Sequence, residues 1–329
     1  MVFFRKTIKK ALIFLLIFLF LEILLRLIET KTKSVPFGFN LTEYVDRDFG
    51  WSGKKVFGDV STNKYKVLIV GDSNTFGMDI KEEDVYYNEL KNKMNAELFV
   101  YAGIGYGTLQ EYLSIKKYVN EINPDLVILQ TTTNDIINNN FNLESKSFFN
   151  RNLLTRPYLI NGEIKTMFPS KLGMFRYNLQ LRSRLCMRLF GSYDKFMAYL
   201  ASKKIIISIE DKFKPYGNVQ IKDYDNGLKI TEDIFNKIAD LVGRDKLVIV
   251  PADLVNPVSK SFEKIIIKNN IKYVKEPVIK VKEIENNGEK LTGLDNVHLS
   301  KLGNHCFGEA LTRSLIGNHI IPEKYLLEN

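Results

Sequence analysis

Val67-Leu68-Ile69-Val70-Gly71-Asp72-Ser73-Asn74-Thr75-Phe76-Gly77 is the stretch on which the reading of this chain turns. Four apolar residues, three of them β-branched, run into a Gly-Asp-Ser turn and then an Asn/Thr segment. Such a run is a buried parallel strand that delivers one hydroxyl to the rim of a sheet, at the start of the next helix. There the Ser73 backbone N–H and the helix N-terminus face whatever the hydroxyl attacks, so developing negative charge meets a partner. Taken alone, the motif fits equally well a Ser73 that only N-caps the helix.

Downstream, short apolar strands alternate with helical patterns. Strands are predicted at 66–70, 97–101, 126–131, 246–250 and 271–274, and helices at 82–94, 108–121, 231–241, 262–268 and 301–316. Alternation of that kind predicts an α/β fold: a five-stranded parallel sheet, doubly wound and flavodoxin-like, covered by helices on both faces in three layers. Residues 138–228 lack a clean βαβ pattern, although 204–209 reads as a strand, and a gap of that length inside a domain predicts an inserted cap. The α/β domain is then 64–137 and 229–329, and 31–63, with breakers at Pro36, Gly38, Gly50 and Gly53, is a tether and lead-in.

In a doubly wound sheet of order 2-1-3-4-5, ligands bind at the carboxyl ends of the first and third strands. The first ends at Ser73. The third ends in Thr131-Thr132-Thr133-Asn134-Asp135 and sets an amide beside the serine. The second ends in Gly103-Ile104-Gly105-Tyr106-Gly107, a turn whose N–H groups can approach a ligand closely. Serine N–H, a glycine N–H and the Asn134 amide converge on one point, which is what a tetrahedral acyl-transfer oxyanion requires. A serine also needs an adjacent base. The chain has three histidines, His298, His305 and His319. Asp295-Asn296-Val297-His298 places a carboxylate within one turn of an imidazole, where it orients the ring and stabilises the imidazolium. A surface Asp–His pair is the alternative; His305 and His319 read as structural or surface residues.

Composition bounds the rest. The chain has 329 residues, 45% hydrophobic and 26% charged, which is globular. Its net charge of +9 does not indicate nucleic acid: the basic residues intersperse with acids, without aromatic interleaving. Four of them, Arg5, Lys6, Lys9 and Lys10, precede an apolar run through residues 11–28, broken only by Glu22 and Arg26. Those two lie one helical turn apart, able to pair at the far interface. With no cleavage site after the run, residues 1–30 predict an uncleaved signal anchor: N-terminus cytoplasmic, bilayer contact through 11–28, and the remainder outside. Cys186 and Cys306 read as two separate buried thiols. No dinucleotide or nucleotide fingerprint, zinc spacing or α/β-hydrolase elbow is present, so neither a cofactor nor a metal is expected.

Four blocks, in order, resemble those of the SGNH hydrolases, the GDSL esterase/lipase superfamily: Gly71-Asp72-Ser73, Gly105 in its glycine-rich turn, Asn134-Asp135, and Asp295-Asn296-Val297-His298. The resemblance implies Ser73 as nucleophile, His298 as base and Asp295 as its orienting acid, with Ser73, Gly105 and Asn134 forming the oxyanion hole. Thr132 stands where the family usually has glycine, and Tyr101 where it often has asparagine. The chain is most similar to membrane-tethered bacterial members with a large insertion after the Asn-Asp block, several of them akin to polysaccharide O-acetyl esterases and acetyltransferases. A periplasmic domain on the cytoplasmic membrane, acting on acylated cell-envelope carbohydrate, is what that likeness implies. Aromatics around the insertion (Phe141, Phe148, Phe149, Tyr158, Phe168, Phe175, Tyr177) are candidates to stack on sugar rings or to pack the cap. A lipid esterase with an apolar groove and a non-catalytic glycan-binding scaffold are the competing readings.

Overall fold

The structure is a computed structural model and describes residues 2–32, 45–46, 50–51, 53–78, 80–149, 155–168, 172–207, 209, 222–293, 295 and 297–327. The strands are β1 (Val45–Asp46), β2 (Gly50–Trp51), β3 (Lys54–Phe57), β4 (Tyr65–Gly71), β5 (Ala96–Ala102), β6 (Leu126–Thr131), β7 (Arg156–Ile160), β8 (Glu163–Met167), β9 (Leu247–Pro251) and β10 (Lys272–Tyr273). Six of them form one sheet in the order β10-β9-β6-β4-β5-β3. All neighbours are parallel except β3, which pairs antiparallel with β5.

The apolar runs are continuous because both sheet faces are buried. On β4, Leu68 and Val70 pack into one core with Phe99, Leu129, Ile249 and the helices Thr108–Ile122, Lys222–Val242 and Val258–Lys268. Val67 and Ile69 point the other way, into a second core with Val100, Ile128, Val248 and the helices Tyr87–Lys93, Glu276–Asn286 and Lys301–Gly317. These are the three layers expected, and the parallel strands follow the 2-1-3-4-5 order.

Four expectations need correction. The sheet has six strands rather than five, because Lys54–Phe57, inside the stretch read as a lead-in, adds an antiparallel edge. Two of its four residues are lysines, and a charged edge strand carries no apolar signature. Residues 204–207 and 209 are not a strand: Ile205 and Ile206 N–H both donate back to the Leu200 carbonyl at the end of the helix Arg184–Ser202. Cys186 and Cys306 are half-buried rather than buried. The helix placed at 82–94 is a 3₁₀ turn, Glu82–Asp84, followed by Tyr87–Lys93. Residues 33–44 of the tether lie outside the described residues.

The helix Val2–Thr32 contains the stretch Lys6–Ile28, 23 residues of mean hydropathy 2.8, long and apolar enough to cross a membrane. The described residues between 138 and 207 divide into two kinds of structure. The first part is welded to the domain: Leu143 and Tyr158 are fully buried, and β7 and β8 form a hairpin over Asn161-Gly162, both at positive φ. Arg156 is the anchor of that weld. Its guanidinium, fully buried, donates to Glu144 Oε1 at 3.1 Å and to the Gln110 side chain, and Tyr158 Oη donates to Glu144 Oε2 at 2.9 Å. Removing one partner of a buried pair strands the other charge, so Arg156→Ala is expected to cost about 3–5 kcal/mol. Denaturant unfolding measures it; a loss under about 1 kcal/mol would mean that water reaches Glu144.

Candidate active site

Ser73 sits at the turn between β4 and the short helix Ser73–Phe76. Asp72, not Ser73, caps that helix: its Oδ1 accepts from the Asn74 N–H at 2.9 Å. The Ser73 hydroxyl is therefore not committed to the backbone. Gln130, the penultimate residue of β6, clamps the turn from beneath. Its Oε1 accepts from Asp72 N–H and Thr75 N–H, both at 3.3 Å, and from Thr75 Oγ1 at 2.8 Å. Gly71 is needed there because a Cβ would collide with the Thr75 and Gln130 side chains.

His298 reaches this turn from the far end of the chain. Its Nε2 lies 2.8 Å from Ser73 Oγ, and its Nδ1 lies 2.5 Å from Asp295 Oδ2. The other Asp295 oxygen accepts from the Val297 and His298 N–H groups at 2.9 and 3.0 Å. Partial burial acts to raise the Asp295 carboxyl, but the imidazole and the two amides outweigh it and hold the pKa at about 2. The carboxylate is thus ionised near neutral pH. With the Nδ1 proton donated to Asp295, Nε2 is left to accept from Ser73. The loop is pinched at its neck, where Gly293 N–H donates to His298 O and Ser300 N–H to Leu291 O, both at 2.8 Å. Ser300 then caps the helix Lys301–Gly317. Leu294 and Asn296 lie outside the described residues. His305 pairs with Glu89 at 2.8 Å on the surface, away from this loop.

A cleft of about 510 Å³ opens over these groups. Ser73, Gly105, Asn134 and His298 all line it, whereas Gly103 and Gly107 do not. Gly103 and Gly107 serve packing instead: a Cβ on the first would enter the Tyr106 ring, and one on the second would meet Asn138. Gly105 has φ +69, and the space before it is open. Thr132, the departure from the family pattern, joins two of the blocks. Its hydroxyl bonds Asp72 Oδ2 at 2.9 Å and donates to Asn134 Oδ1, which turns the Asn134 amide group. One hydroxyl proton cannot serve both acceptors. The proton is therefore divided between Asp72 and Asn134; burial raises the Asp72 pKa, and the hydrogen bonds from Asn74 and Thr132 oppose that rise.

Asp253 escaped the sequence reading. It accepts from Thr133 N–H at 2.8 Å and Thr133 Oγ1 at 2.6 Å, tying the loop after β6 to the loop after β9 at the cleft wall. Its one signal is a carboxylate two residues past a strand's carboxyl end. Asp135, beside Asn134, does not line the cleft; it is fully buried and accepts from Thr132 N–H at 3.1 Å.

Asp72 and Asp253 at the cleft wall, with Glu111 and Asp135 fully buried, form a group of carboxyls withdrawn from water. Burial raises all four, with Glu111 and Asp135 raised furthest as nearby carboxyls add to it. A carboxyl raised on folding stabilises most below its unfolded value (4.5 for glutamate) and loses that contribution as pH climbs through the folded value. Stability is therefore expected to rise on acidification from neutrality to about pH 5. Neither Glu111 oxygen has a hydrogen-bond partner among the described residues. Glu111→Leu is expected to gain about 1–3 kcal/mol at neutral pH and to flatten this pH dependence. Thermal melts across that range read both effects, and a pH profile identical to wild type would sink the assignment.

A doubly wound sheet with a Ser–His–Asp chain of hydrogen bonds at its carboxyl edge defines a hydrolase that works through serine. The chain belongs to the GDSL-like lipase/acylhydrolase family, which it matches over residues 67–311, and it is an ester-hydrolysing serine hydrolase. Among solved structures it is similar to a lipase/acylhydrolase of Enterococcus faecalis: 11% identity, TM-score 0.42, 77% of this chain and 96% of that one covered. A psychrotrophic esterase of a Pseudoalteromonas species gives 10% identity and TM-score 0.39 over 77% and 98%. An acetylxylan esterase of Geobacillus stearothermophilus gives 12% and 0.39 over 77% and 94%. No curated protein matched the sequence.

Proposed function

We propose that this protein is a membrane-anchored, extracytoplasmic esterase or O-acyltransferase that removes or moves acyl groups, acetyl above all, on cell-envelope carbohydrate. The observation that carries the reading is the continuous chain from Ser73 Oγ through His298 to Asp295. Ser73 Oγ attacks the ester carbonyl as His298 Nε2 takes its proton. The oxyanion so formed is held by the N–H groups of Ser73 and Gly105 and by the Asn134 amide. Collapse breaks the bond to the sugar oxygen, which leaves as a hydroxyl with the proton from His298. Water or a second sugar hydroxyl, deprotonated by His298, then releases the acyl group from Ser73. Loss of one oxyanion donor typically costs 10²–10³ in turnover, so Asn134→Ala is expected to lower kcat by roughly that factor. A near-wild-type kcat would take Asn134 out of the hole.

Support for carbohydrate comes from the polar side chains of the cleft, Asn74, Thr133, Asn134, Asn138 and Asp253, which stand among the apolar Met78, Ile104, Phe149, Ala252 and Val297. Among the described side chains of the seven candidate aromatics, Phe149, half-exposed, is the one that lines the cleft. Phe141 and Tyr158 pack edge to face on each other instead, and the Tyr177 side chain lies outside the described residues. The anchor reading rests on the Lys6–Ile28 stretch with its basic flank. The deciding experiment gives the full-length protein an acetyl donor with and without candidate saccharides and follows the acetyl group. Acetate in solution defines an esterase and acetylated saccharide a transferase; no turnover of any ester would end the proposal.

A further inference from the structure

The second part of the insertion is two helices, Gly173–Arg182 and Arg184–Ser202, joined at Ser183 and fastened to each other by an Arg176–Asp194 ion pair. Leu189, Tyr193, Phe196 and Tyr199 recur at helical spacing along the second helix, and all four are more than half exposed. Phe175 on the first helix is 64% exposed, and Ile207, past the second, 72%. An apolar stripe of this extent marks an interaction surface.

What covers it follows from where the stripe begins and how it is charged. Glu22, on the apolar N-terminal helix, is buried against the start of the second helix. Its carboxylate accepts from Ser183 Oγ at 2.8 Å, Arg184 N–H at 3.0 Å and Leu185 N–H at 2.9 Å. Arg26 closes the joint, donating to Glu22 at 2.7 Å and to the Arg182 carbonyl at 2.9 Å. Three donors at a helix N-terminus are thus satisfied by a carboxylate from the apolar helix, at the residue that first interrupts its apolar run. Charge gives the second argument: residues 172–207 contain seven basic side chains and a single acid, Asp194, already engaged by Arg176. An apolar stripe with aromatic residues, flanked by cations, matches an anionic lipid surface. The Lys203 ammonium lies 5.8 Å from the Tyr199 ring, so its stem runs along that face while its charge stays at the rim.

We propose that the helix Arg184–Ser202 lies in the outer membrane–water interface, with Leu189, Tyr193, Phe196 and Tyr199 among the lipid headgroups and upper acyl chains. The inference rests on the reading of Val2–Thr32 as a membrane anchor and adds a second attachment to it. The catalytic domain is then held against the bilayer rather than swinging on a tether, and the esters it reaches are those close to the membrane surface.

The test uses full-length protein in vesicles of phosphatidylcholine and phosphatidylglycerol, with Trp51, the one tryptophan, replaced by phenylalanine. Leu16→Trp reports the span and Phe196→Trp the stripe. Lipid brominated just below the headgroup is expected to lower Phe196→Trp emission roughly two-fold or more, and lipid brominated near the bilayer centre far less; Leu16→Trp shows the reverse order. Leu16→Trp quenched with Phe196→Trp untouched overturns the interfacial helix and leaves the anchor standing. Leu16→Trp untouched by either lipid removes the anchor, and this inference with it. Emission of Phe196→Trp that is blue-shifted but not quenched, with chain-to-chain cross-linking, assigns the stripe to a second copy and overturns the lipid surface.

Discussion

Ser73→Ala is expected to lower turnover of a small aryl acetate by about 10⁶-fold, the loss seen when a serine is removed from a triad that acts as a unit. The variant is unusually clean here. The Ser73 hydroxyl bonds His298, while the helix that follows is capped by Asp72 and the turn is clamped by Gln130. Stability is therefore expected to stay within about 0.5 kcal/mol of wild type. The competing role for this residue makes the opposite forecast: loss of an N-cap serine costs about 1 kcal/mol of stability and leaves chemistry alone. Initial rates and a thermal melt on the same preparation separate the two, and equal rates in both proteins would remove the serine mechanism.

The parallel sheet was legible because burial on both faces leaves an unmistakable trace: Val67 to Val70, Leu126 to Leu129 and Leu247 to Val250 are apolar without alternation, and each is fully buried. The motif residues were legible because the chemistry restricts what can stand there. What escaped notice was set by tertiary contact. The edge strand Lys54–Phe57 owes its conformation to β5, not to its own composition. The helix Glu276–Asn286 hides Val278 and Val281 among charges, so the stretch reads as solvated surface although those two valines are buried. The Asn161-Gly162 turn did carry a hairpin signal, masked by the aromatic and basic residues around it. Asp253 had no motif to announce it; only the fold brings its carboxylate to Thr133, 120 positions earlier. The N-capping role fell to Asp72 rather than Ser73, a difference of one residue that decides which side chain is left available.

That availability depends in turn on Asp295, where the second large effect is expected. Asp295 divides its two oxygens between different tasks: Oδ1 accepts from the Val297 and His298 N–H groups, and Oδ2 accepts from His298 Nδ1. Asparagine keeps the shape but not the symmetry. Its one carbonyl oxygen is needed by the two backbone amides, which turns its NH₂ group toward His298 Nδ1. An NH₂ donor facing Nδ1 requires that nitrogen to accept, so the imidazole proton moves to Nε2. Nε2–H then faces the Ser73 hydroxyl as a donor and cannot take its proton. Asp295→Asn is accordingly expected to reduce kcat about 10⁴-fold near neutral pH with little change in KM, since the acid touches no part of the substrate. If the asparagine instead flips and gives its oxygen to the imidazole, two backbone N–H groups lose their acceptor and the loop at 293–299 loosens, which a lowered melting temperature with much of kcat retained would reveal. Rates, KM and a melt on this one variant decide between them, and wild-type values in all three would show that Asp295 does not orient His298.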